Sequence, residues 1–260
     1  MSVTAFLTDS TLCIGCKACE VACKEWNEVP GDGFVWSGFS YDNTETLGHA
    51  SWRHVKFIED GAHPGIGGNS PDSLAWSFSS DVCKHCENAG CLEACPTGAI
   101  VRTEFGGVFV QPDVCNGCAY CVVACPFGVI EKREKDGRAF KCTFCYDRQI
   151  EGLQPACASV CPTESIKFGE INQLRLDAQE RVRELESQGF KDVQLYDPLD
   201  TSVGGTHAIF IVRGEPSAYN LPPKPEVPTI YLRRSWLSAA VSGGLVVAGT
   251  LLAFLGGGRR

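Results

Sequence analysis

The feature that most constrains this chain is a run of cysteines from Cys115 to Pro126, CNGCAYCVVACP, with the spacing C-x2-C-x2-C-x3-C-P. Three thiolates this close together on one loop can wrap three irons of a single [4Fe–4S] cube. The fourth cysteine, Cys125, lies on the following helical turn and points away, towards a neighbouring cluster. A run of this kind predicts a second run, and the chain supplies three more.

All 16 cysteines fall into groups of four, with none left over: Cys13/Cys16/Cys19/Cys23, Cys83/Cys86/Cys91/Cys95, Cys115/Cys118/Cys121/Cys125 and Cys142/Cys145/Cys157/Cys161. A disulfide scaffold would suit a short secreted chain with a signal peptide, and nothing before Cys13 resembles the apolar part of such a peptide. Zinc, the other alternative, favours isolated C-x2-C pairs closed by four local ligands. We therefore expect four [4Fe–4S] clusters as the cofactors.

A short phrase repeats after three of the groups. It reads CPTGAI at 95–100, CPFGVI at 125–130 and CPTESI at 161–166, whereas Lys24 replaces the proline in the first group. The proline fixes φ and ends the preceding helical turn, and the apolar residues after it begin a strand. The first two copies lie about 30 residues apart, which is the signature of a module that binds two clusters.

The repeat predicts an α+β fold made of two bacterial-ferredoxin-like two-cluster modules, one inserted in the other. Residues 81–130 form the inserted module, with groups two and three. Residues 1–80, which include an insertion at 31–80, form the other module together with residues 131–170. The predicted ligands are Cys13, Cys16, Cys19 and Cys161 for cluster A; Cys142, Cys145, Cys157 and Cys23 for cluster B; Cys83, Cys86, Cys91 and Cys125 for cluster C; and Cys115, Cys118, Cys121 and Cys95 for cluster D.

Regions outside the cysteine groups carry simpler signals. Residues 3–8 and 52–58 are predicted strands, and residues 61–71 a loop. Residues 171–215 are predicted to contain an amphipathic helix, ended by Gly189, and a buried strand. We expect the apolar stripe of the helix to pack on the cluster-bearing body, with partner docking as the alternative.

The C-terminal part predicts a membrane anchor. A proline-rich linker at 216–234 leads to residues 235–258, which are uncharged and bracketed by Arg233-Arg234 and Arg259-Arg260. This length, with Trp236 at one end, suits a single transmembrane helix. The alternative is a buried or disordered tail. Because arginine pairs flank both ends, charge does not decide the orientation.

The remaining sequence offers no site for turnover. It contains no glycine-rich dinucleotide fingerprint and no Ser/His/Asp arrangement, and a net charge of −8 without a basic run excludes nucleic acid as a partner. A row of four one-electron carriers forms a wire, whose donor and acceptor must be other subunits. Since neither module has much core without its clusters, a cluster-free chain is expected to be largely unfolded.

Several phrases resemble one family, the four-cluster iron–sulfur subunits of molybdopterin oxidoreductases, and in particular the β subunit of respiratory formate dehydrogenase. The phrases are CKEWN at 23–27, KCTFCYDR at 141–148, RVRELESQGF at 181–190, LYDP at 195–198 and GGTHAIFIV at 204–212. The resemblance implies a catalytic subunit with a molybdenum or tungsten pterin cofactor that oxidises formate. It also implies a membrane cytochrome b subunit or quinone as acceptor, and a globular part on the outer face of the cell membrane. The alternatives are a subunit of another molybdopterin oxidoreductase (sulfur-compound, sulfoxide or nitrite reductase type) and a free polyferredoxin carrier.

Overall fold

The computed structural model describes residues 2–31, 36–38, 41–60 and 75–257. The chain forms two compact units, Met1–Val227 and Pro228–Arg260. The loop predicted at 61–71 and the last residue of the predicted anchor, Gly258, lie outside the described residues.

The first unit mixes short strands and helices, as the α+β prediction requires. Its strands are β1 (Thr4–Asp9), β2 (Arg53–Asp60), β3 (Ala75–Val82), β4 (Ile100–Arg102), β5 (Val108–Val110), β6 (Glu131–Lys132), β7 (Ala139–Phe140), β8 (Ile166–Glu170), β9 (Val193–Tyr196) and β10 (Ala208–Arg213). Its helices are α1 (Ala18–Trp26), α2 (Gly90–Glu93), α3 (Tyr120–Ala124), α4 (Tyr146–Ile150), α5 (Ala156–Ser159) and α6 (Ile171–Ser187).

A four-stranded sheet in the order β8-β1-β10-β9 separates two hydrophobic layers. Strand β1 runs parallel to β10, with Phe6 opposite Ala208, and antiparallel to β8. Because side chains alternate between the faces of a strand, Phe6 and Phe210 point into the layer that contains the cysteines. Leu7 and Ile209 point into the other layer. The sheet therefore forms one side of the core that contains the cysteines.

Helix α6 packs on the face of this sheet that is turned away from the cysteines. Its buried residues are Ile171, Leu174, Ala178 and Leu185, and they share a hydrophobic cluster with Leu7 and Ile209 rather than with any thiol. The predicted apolar stripe is therefore present, but it packs on the sheet and not directly on the cysteine layer. Arg181 ties the helix to β1 through Asp9, with 3.1 Å between Nε and Oδ2.

Three hairpins complete the first unit. Strands β2 and β3 pair antiparallel from Arg53–Val82 to Asp60–Ala75, which realises the strand predicted at 52–58. Strands β4 and β5 form a hairpin around Gly106-Gly107, and β6 pairs with β7. Proline-rich residues before the second unit are anchored by buried Tyr219, Leu221 and Val227.

The second unit consists of helix α7 (Leu232–Gly257), preceded by a turn of 3-10 helix at Pro228–Tyr231. Within the described residues, Pro228–Leu255 is the one segment long and apolar enough to cross a membrane by length and composition. At about 1.5 Å per residue, the 26 residues of α7 extend about 39 Å. This length exceeds the hydrocarbon thickness of a membrane, roughly 30 Å.

Candidate cluster-binding site

The four cysteine loops share one backbone feature. In each, the residue just before the second cysteine has a left-handed backbone: Gly15 (φ 67°), His85 (φ 45°), Gly117 (φ 74°) and Phe144 (φ 64°). Such a residue turns successive N–H groups into a concave nest that favours negative charge. Accordingly, the N–H of Phe144 donates to Cys142 Sγ at 3.3 Å, and the N–H of Gly15 hydrogen-bonds to the Cys13 thiol.

The repeated phrase after the fourth cysteine also has one conformation. Gly98, Gly128 and Glu164 have φ of 68°, 63° and 53°, and their N–H groups donate to the carbonyls of Cys95, Cys125 and Cys161 at 3.4, 3.3 and 3.3 Å. The sequence repeat is therefore a structural repeat, with glutamate adopting the glycine-like turn in the third copy.

Two quartets of thiols each line a small cavity. Cys13, Cys16, Cys19 and Cys161 surround one, together with Ser80 and Ser165. Cys95, Cys115, Cys118 and Cys121 surround the other, which Ile100 and Val110 close from the apolar side. These sets equal the groups predicted for clusters A and D, and we call them quartets A and D.

The other eight thiols form two deeper quartets. Burial raises the pKa of the Cys23 thiol, and the neighbouring thiolates of Cys142, Cys157 and Cys145 raise it further. Asn27 Nδ2 lies 3.8 Å from Cys23 Sγ and 3.9 Å from Cys145 Sγ, so it joins both sides of this quartet, quartet B. In quartet C, burial likewise raises the pKa of Cys86, and the thiolates of Cys83, Cys125 and Cys91 add to the effect.

The quartets follow one another in the order A, B, C, D. Ser80 Oγ lies 3.2 Å from Cys19 Sγ of quartet A and 3.3 Å from Arg53 Nη1, whose other terminal nitrogen lies 3.2 Å from Cys157 Sγ of quartet B. Lys141 Nζ lies 3.4 Å from Cys83 Sγ and 3.1 Å from the carbonyl oxygen of Cys142, which joins C to B. Helix α2, which contains Cys91, packs on helix α3, which contains Cys121, and this contact joins C to D.

The two ends of this row reach solvent. Cys16 in quartet A and Cys118 in quartet D are exposed. All four thiols of quartet B are buried, and those of quartet C are buried or partly buried. The row therefore runs from one exposed thiol, through a buried middle, to a second exposed thiol.

The donor set fits iron–sulfur clusters. Burial raises the pKa of Cys19 and Cys91 to about 12 and of Cys121 and Cys145 to about 11, so without metal these thiols keep their protons at neutral pH. Iron must displace those protons, and binding is then coupled to folding. Within the described ranges, no three His, Cys, Asp or Glu side chains converge closely enough to hold a single metal ion. Quartets A and D instead each line a small cavity, as the ligands of a four-iron cube do.

The structure brings the 16 cysteines together in these four quartets, and their ligation of iron stays a prediction. Sequence reasoning missed two buried cations between the quartets, Arg53 and Lys141. Arg53 lies in the predicted strand 52–58, on the same face as Val55 and Phe57. A charged residue on an apolar strand face could have indicated a buried cation. Lys141 directly precedes Cys142 and carried no such signal.

Comparisons with known proteins support 4Fe-4S clusters as the cofactor. Two family models, both described as a 4Fe-4S dicluster domain, match residues 12–99 and 74–171. The chain is 38% identical over 252 residues to the formate dehydrogenase iron-sulfur subunit of Haemophilus influenzae, covering 94% of this chain and 78% of the relative. It is 41% identical over 227 residues to the formate dehydrogenase-O iron-sulfur subunit of Escherichia coli, covering 86% and 72%.

Other relatives match a smaller share of the chain. The thiosulfate reductase electron transfer subunit of Salmonella typhi is 40% identical over 168 residues, which is 64% of this chain and 76% of the relative. Two findings decide the family. One is the pair of 4Fe-4S dicluster matches, and the other is the identity and coverage of the first two relatives. The chain belongs to the formate dehydrogenase iron–sulfur subunits, ferredoxin-like electron-transfer proteins.

Proposed function

We propose that this chain conducts electrons through four [4Fe–4S] clusters, from a catalytic subunit that oxidises formate to a cytochrome b subunit or quinone in the membrane. The observation that carries the proposal is the row of four thiol quartets with one exposed thiol at each end. Such a row has an entry and an exit and a shielded path between them.

The quartets name the residues that would hold each cluster. Cys13, Cys16, Cys19 and Cys161 would bind cluster A; Cys23, Cys142, Cys145 and Cys157 cluster B; Cys83, Cys86, Cys91 and Cys125 cluster C; Cys95, Cys115, Cys118 and Cys121 cluster D. A bound cluster accepts and donates one electron at a potential set by charge, hydrogen bonds and exposure. The protein supplies the thiolates, the N–H groups aimed at sulfur, and the apolar wall formed by Phe6 and Phe144, which excludes water.

We also propose that the modules are nested, with residues 81–130 inserted between 1–80 and 131–170. The pairing of Cys23 with Cys142, Cys145 and Cys157 supports this arrangement, because it links groups one and four across the middle of the sequence. Residues 171–215 would then complete the sheet beneath the first module, since β10 lies next to β1. Residues 216–234 would link this body to an anchor at 235–258.

The expected partners follow from the family and from α7. The catalytic subunit would carry a molybdenum or tungsten pterin cofactor. α7 would cross the cell membrane once, near a cytochrome b subunit or quinone. An outward-facing globular unit rests on the resemblance to respiratory formate dehydrogenase. In this proposal the chain contributes no catalytic residue of its own and does not bind nucleic acid.

A second candidate is the equivalent subunit of a sulfur-compound or sulfoxide reductase, in which electrons flow the other way. The match to the Salmonella typhi thiosulfate reductase electron transfer subunit, 40% identical over 168 residues, favours it. That match covers 64% of this chain, against 94% for the Haemophilus influenzae formate dehydrogenase subunit, and the longer match favours formate.

The test is to purify the intact complex anaerobically through a tag on this chain. Four clusters of four irons predict that this chain contributes about 16 non-haem irons and 16 sulfides, in addition to the iron and sulfide that its partner subunits carry. Formate should bleach the cluster absorbance within the turnover time, whereas thiosulfate and dimethyl sulfoxide should not reoxidise the reduced complex. Zinc in place of iron would overturn the cluster assignment. The expected iron content with no response to formate would overturn only the assignment of a formate-oxidising subunit as the electron donor.

A further inference from the structure

Arg53 is a buried cation that contacts quartet B directly and quartet A through the hydroxyl of Ser80. The residue is 2% exposed, and its guanidinium lies 3.2 Å from Cys157 Sγ. It also donates to the carbonyl and the hydroxyl of Ser80 at 3.2 and 3.3 Å, and that hydroxyl contacts Cys19 Sγ at 3.2 Å. The guanidinium stacks over the Phe6 ring at 4.7 Å. It is thus fixed between a thiol of A and a thiol of B.

Lys141 occupies the corresponding place between quartets B and C. It is also 2% exposed, and its Nζ lies 3.4 Å from Cys83 Sγ of quartet C. The same ammonium donates to the carbonyl of Cys142, a quartet B residue, at 3.1 Å and to the carbonyl of Val108. Two of the three junctions in the row therefore hold a buried cation.

Among the described residues, neither cation has a carboxylate partner. Across that part of the chain, Arg53 and Lys141 contact thiols, carbonyls and hydroxyls but form no salt bridge with Asp or Glu. Lys84, by contrast, is equally buried and pairs with the carboxylate of Asp81. Burying an uncompensated cation costs several kcal/mol, so the negative charge opposite Arg53 and Lys141 must come from the cysteine quartets.

We propose that Arg53 and Lys141 are positioning residues that raise the reduction potentials of the clusters on either side of them, A and B for Arg53, B and C for Lys141. The proposal rests on the cluster ligation proposed above. Reduction adds one electron to a cluster, and a fixed positive charge within a few ångströms stabilises that added charge in a low-dielectric interior. Quartet D has no such contact among the described residues, so its potential should not depend on either cation.

The test compares charge-removing and charge-retaining variants in the intact complex. Arg53→Met and Lys141→Met remove the charge, whereas Arg53→Lys and Lys141→Arg keep it. Midpoint potentials of the four cluster signals are measured by redox titration with low-temperature EPR. Each Met variant should shift two of the four midpoints downwards. One midpoint should respond to both variants, and one to neither. The charge-retaining variants should return the shifted midpoints towards the wild-type values.

This pattern needs no prior assignment of signals to clusters. Unchanged midpoints, or an equal shift of all four, would overturn the proposal, and so would equal shifts in the Met and the charge-retaining variants. Iron and sulfide are measured on the same samples. A low iron content in the wild-type chain would instead count against the proposed function. If Arg53→Met loses iron, Arg53→Gln replaces it in the titration, because glutamine is uncharged and keeps a side-chain N–H donor. The Lys141 variants test the second junction independently.

Discussion

The outer and inner cysteine loops build the same backbone turn from different residues. In the outer quartets A and D, the left-handed position before the second cysteine is glycine, Gly15 and Gly117; in the inner loops it is His85 and Phe144. Glycine adopts this conformation freely, whereas other residues are strained by about 1–2 kcal/mol. The inner loops therefore accept a strain that the outer loops avoid.

The packing around the inner loops explains what offsets this strain. The Phe144 ring is fully buried. Its centroid lies 4.4 Å from that of the tilted His85 ring and 5.0 Å from that of Phe6, which it meets edge to face. Burial lowers the pKa of His85 well below its ordinary value, so the ring is neutral, and its Nδ1 accepts from the N–H of Val108 at 3.0 Å. A buried aromatic side chain contributes about 1.5–3 kcal/mol. The inner loops thus combine cluster binding with formation of the core, while the outer loops leave a thiol accessible.

The largest expected effect is on removal of iron, which also separates outer from inner sites in time. With ferricyanide and EDTA, absorbance from the exposed quartets A and D should be lost first, in a fast phase of roughly half the amplitude, since each of the four clusters contributes similarly. Loss of the inner clusters should then abolish the cooperative unfolding transition followed by far-UV circular dichroism. Loss of the absorbance in a single phase, leaving a folded product, would contradict both the difference between outer and inner sites and the dependence of the fold on metal.

A smaller effect is expected from single cysteine substitutions at matched positions. Cys142→Ser, in the fully buried quartet B, should lose about four irons and reduce the yield of soluble complex, because a buried site gives solvent little access to replace the thiolate. Cys16→Ser, at the exposed end of the row, should lose about one iron and give the EPR signal of a three-iron cluster. Equal iron loss in the two variants would show that exposure does not distinguish the sites.

Phe144 tests the strain directly. Phe144→Ala keeps the left-handed backbone strain and removes the ring, and should destabilise the first unit by about 3–5 kcal/mol. Phe144→Gly also removes the ring but relieves the strain, so it should be milder by about 1 kcal/mol. The midpoint of thermal bleaching of the clusters measures both. A glycine variant less stable than the alanine variant would mean that residue 144 carries no backbone strain.

Sequence reasoning reached the quartets because cysteine spacing is a local property. The cysteine spacing and the repeated C-P-x-x phrase were enough to predict the modules and to group the cysteines as the structure places them, and ligation of iron by these groups stays a prediction. It did not reach β3, whose sequence AWSFSSDV alternates but is rich in serine, and it did not place α6 on the far face of the sheet. Arg53 and Lys141 were missed because their partners lie at a separation of 104 and 58 residues, which no local pattern encodes.

The smallest effects should come from alanine at the glycines of the outer loops and of the repeated turn. Gly98 and Gly117 both have positive φ, but an added Cβ meets nothing within 4 Å at Gly98 and lies 2.6 Å from the carbonyl oxygen of Gly137 at Gly117. Gly98→Ala should therefore cost only the backbone strain, ~1 kcal/mol, and Gly117→Ala more, because the opposing backbone cannot move aside as a side chain can.

Gly15→Ala should fall between these two, since the added Cβ would meet the Phe78 ring at 2.9 Å and the ring can shift. Thermal bleaching of the three variants, with iron content as the control for cluster loading, should rank them Gly98→Ala, Gly15→Ala, Gly117→Ala from mildest to most severe. If Gly117→Ala were as mild as Gly98→Ala, close packing would not explain the glycine at this outer loop. The difference between outer and inner loops would then rest on φ alone, and at both His85 and Phe144 the glycine variant should be more stable than the alanine variant by a similar amount.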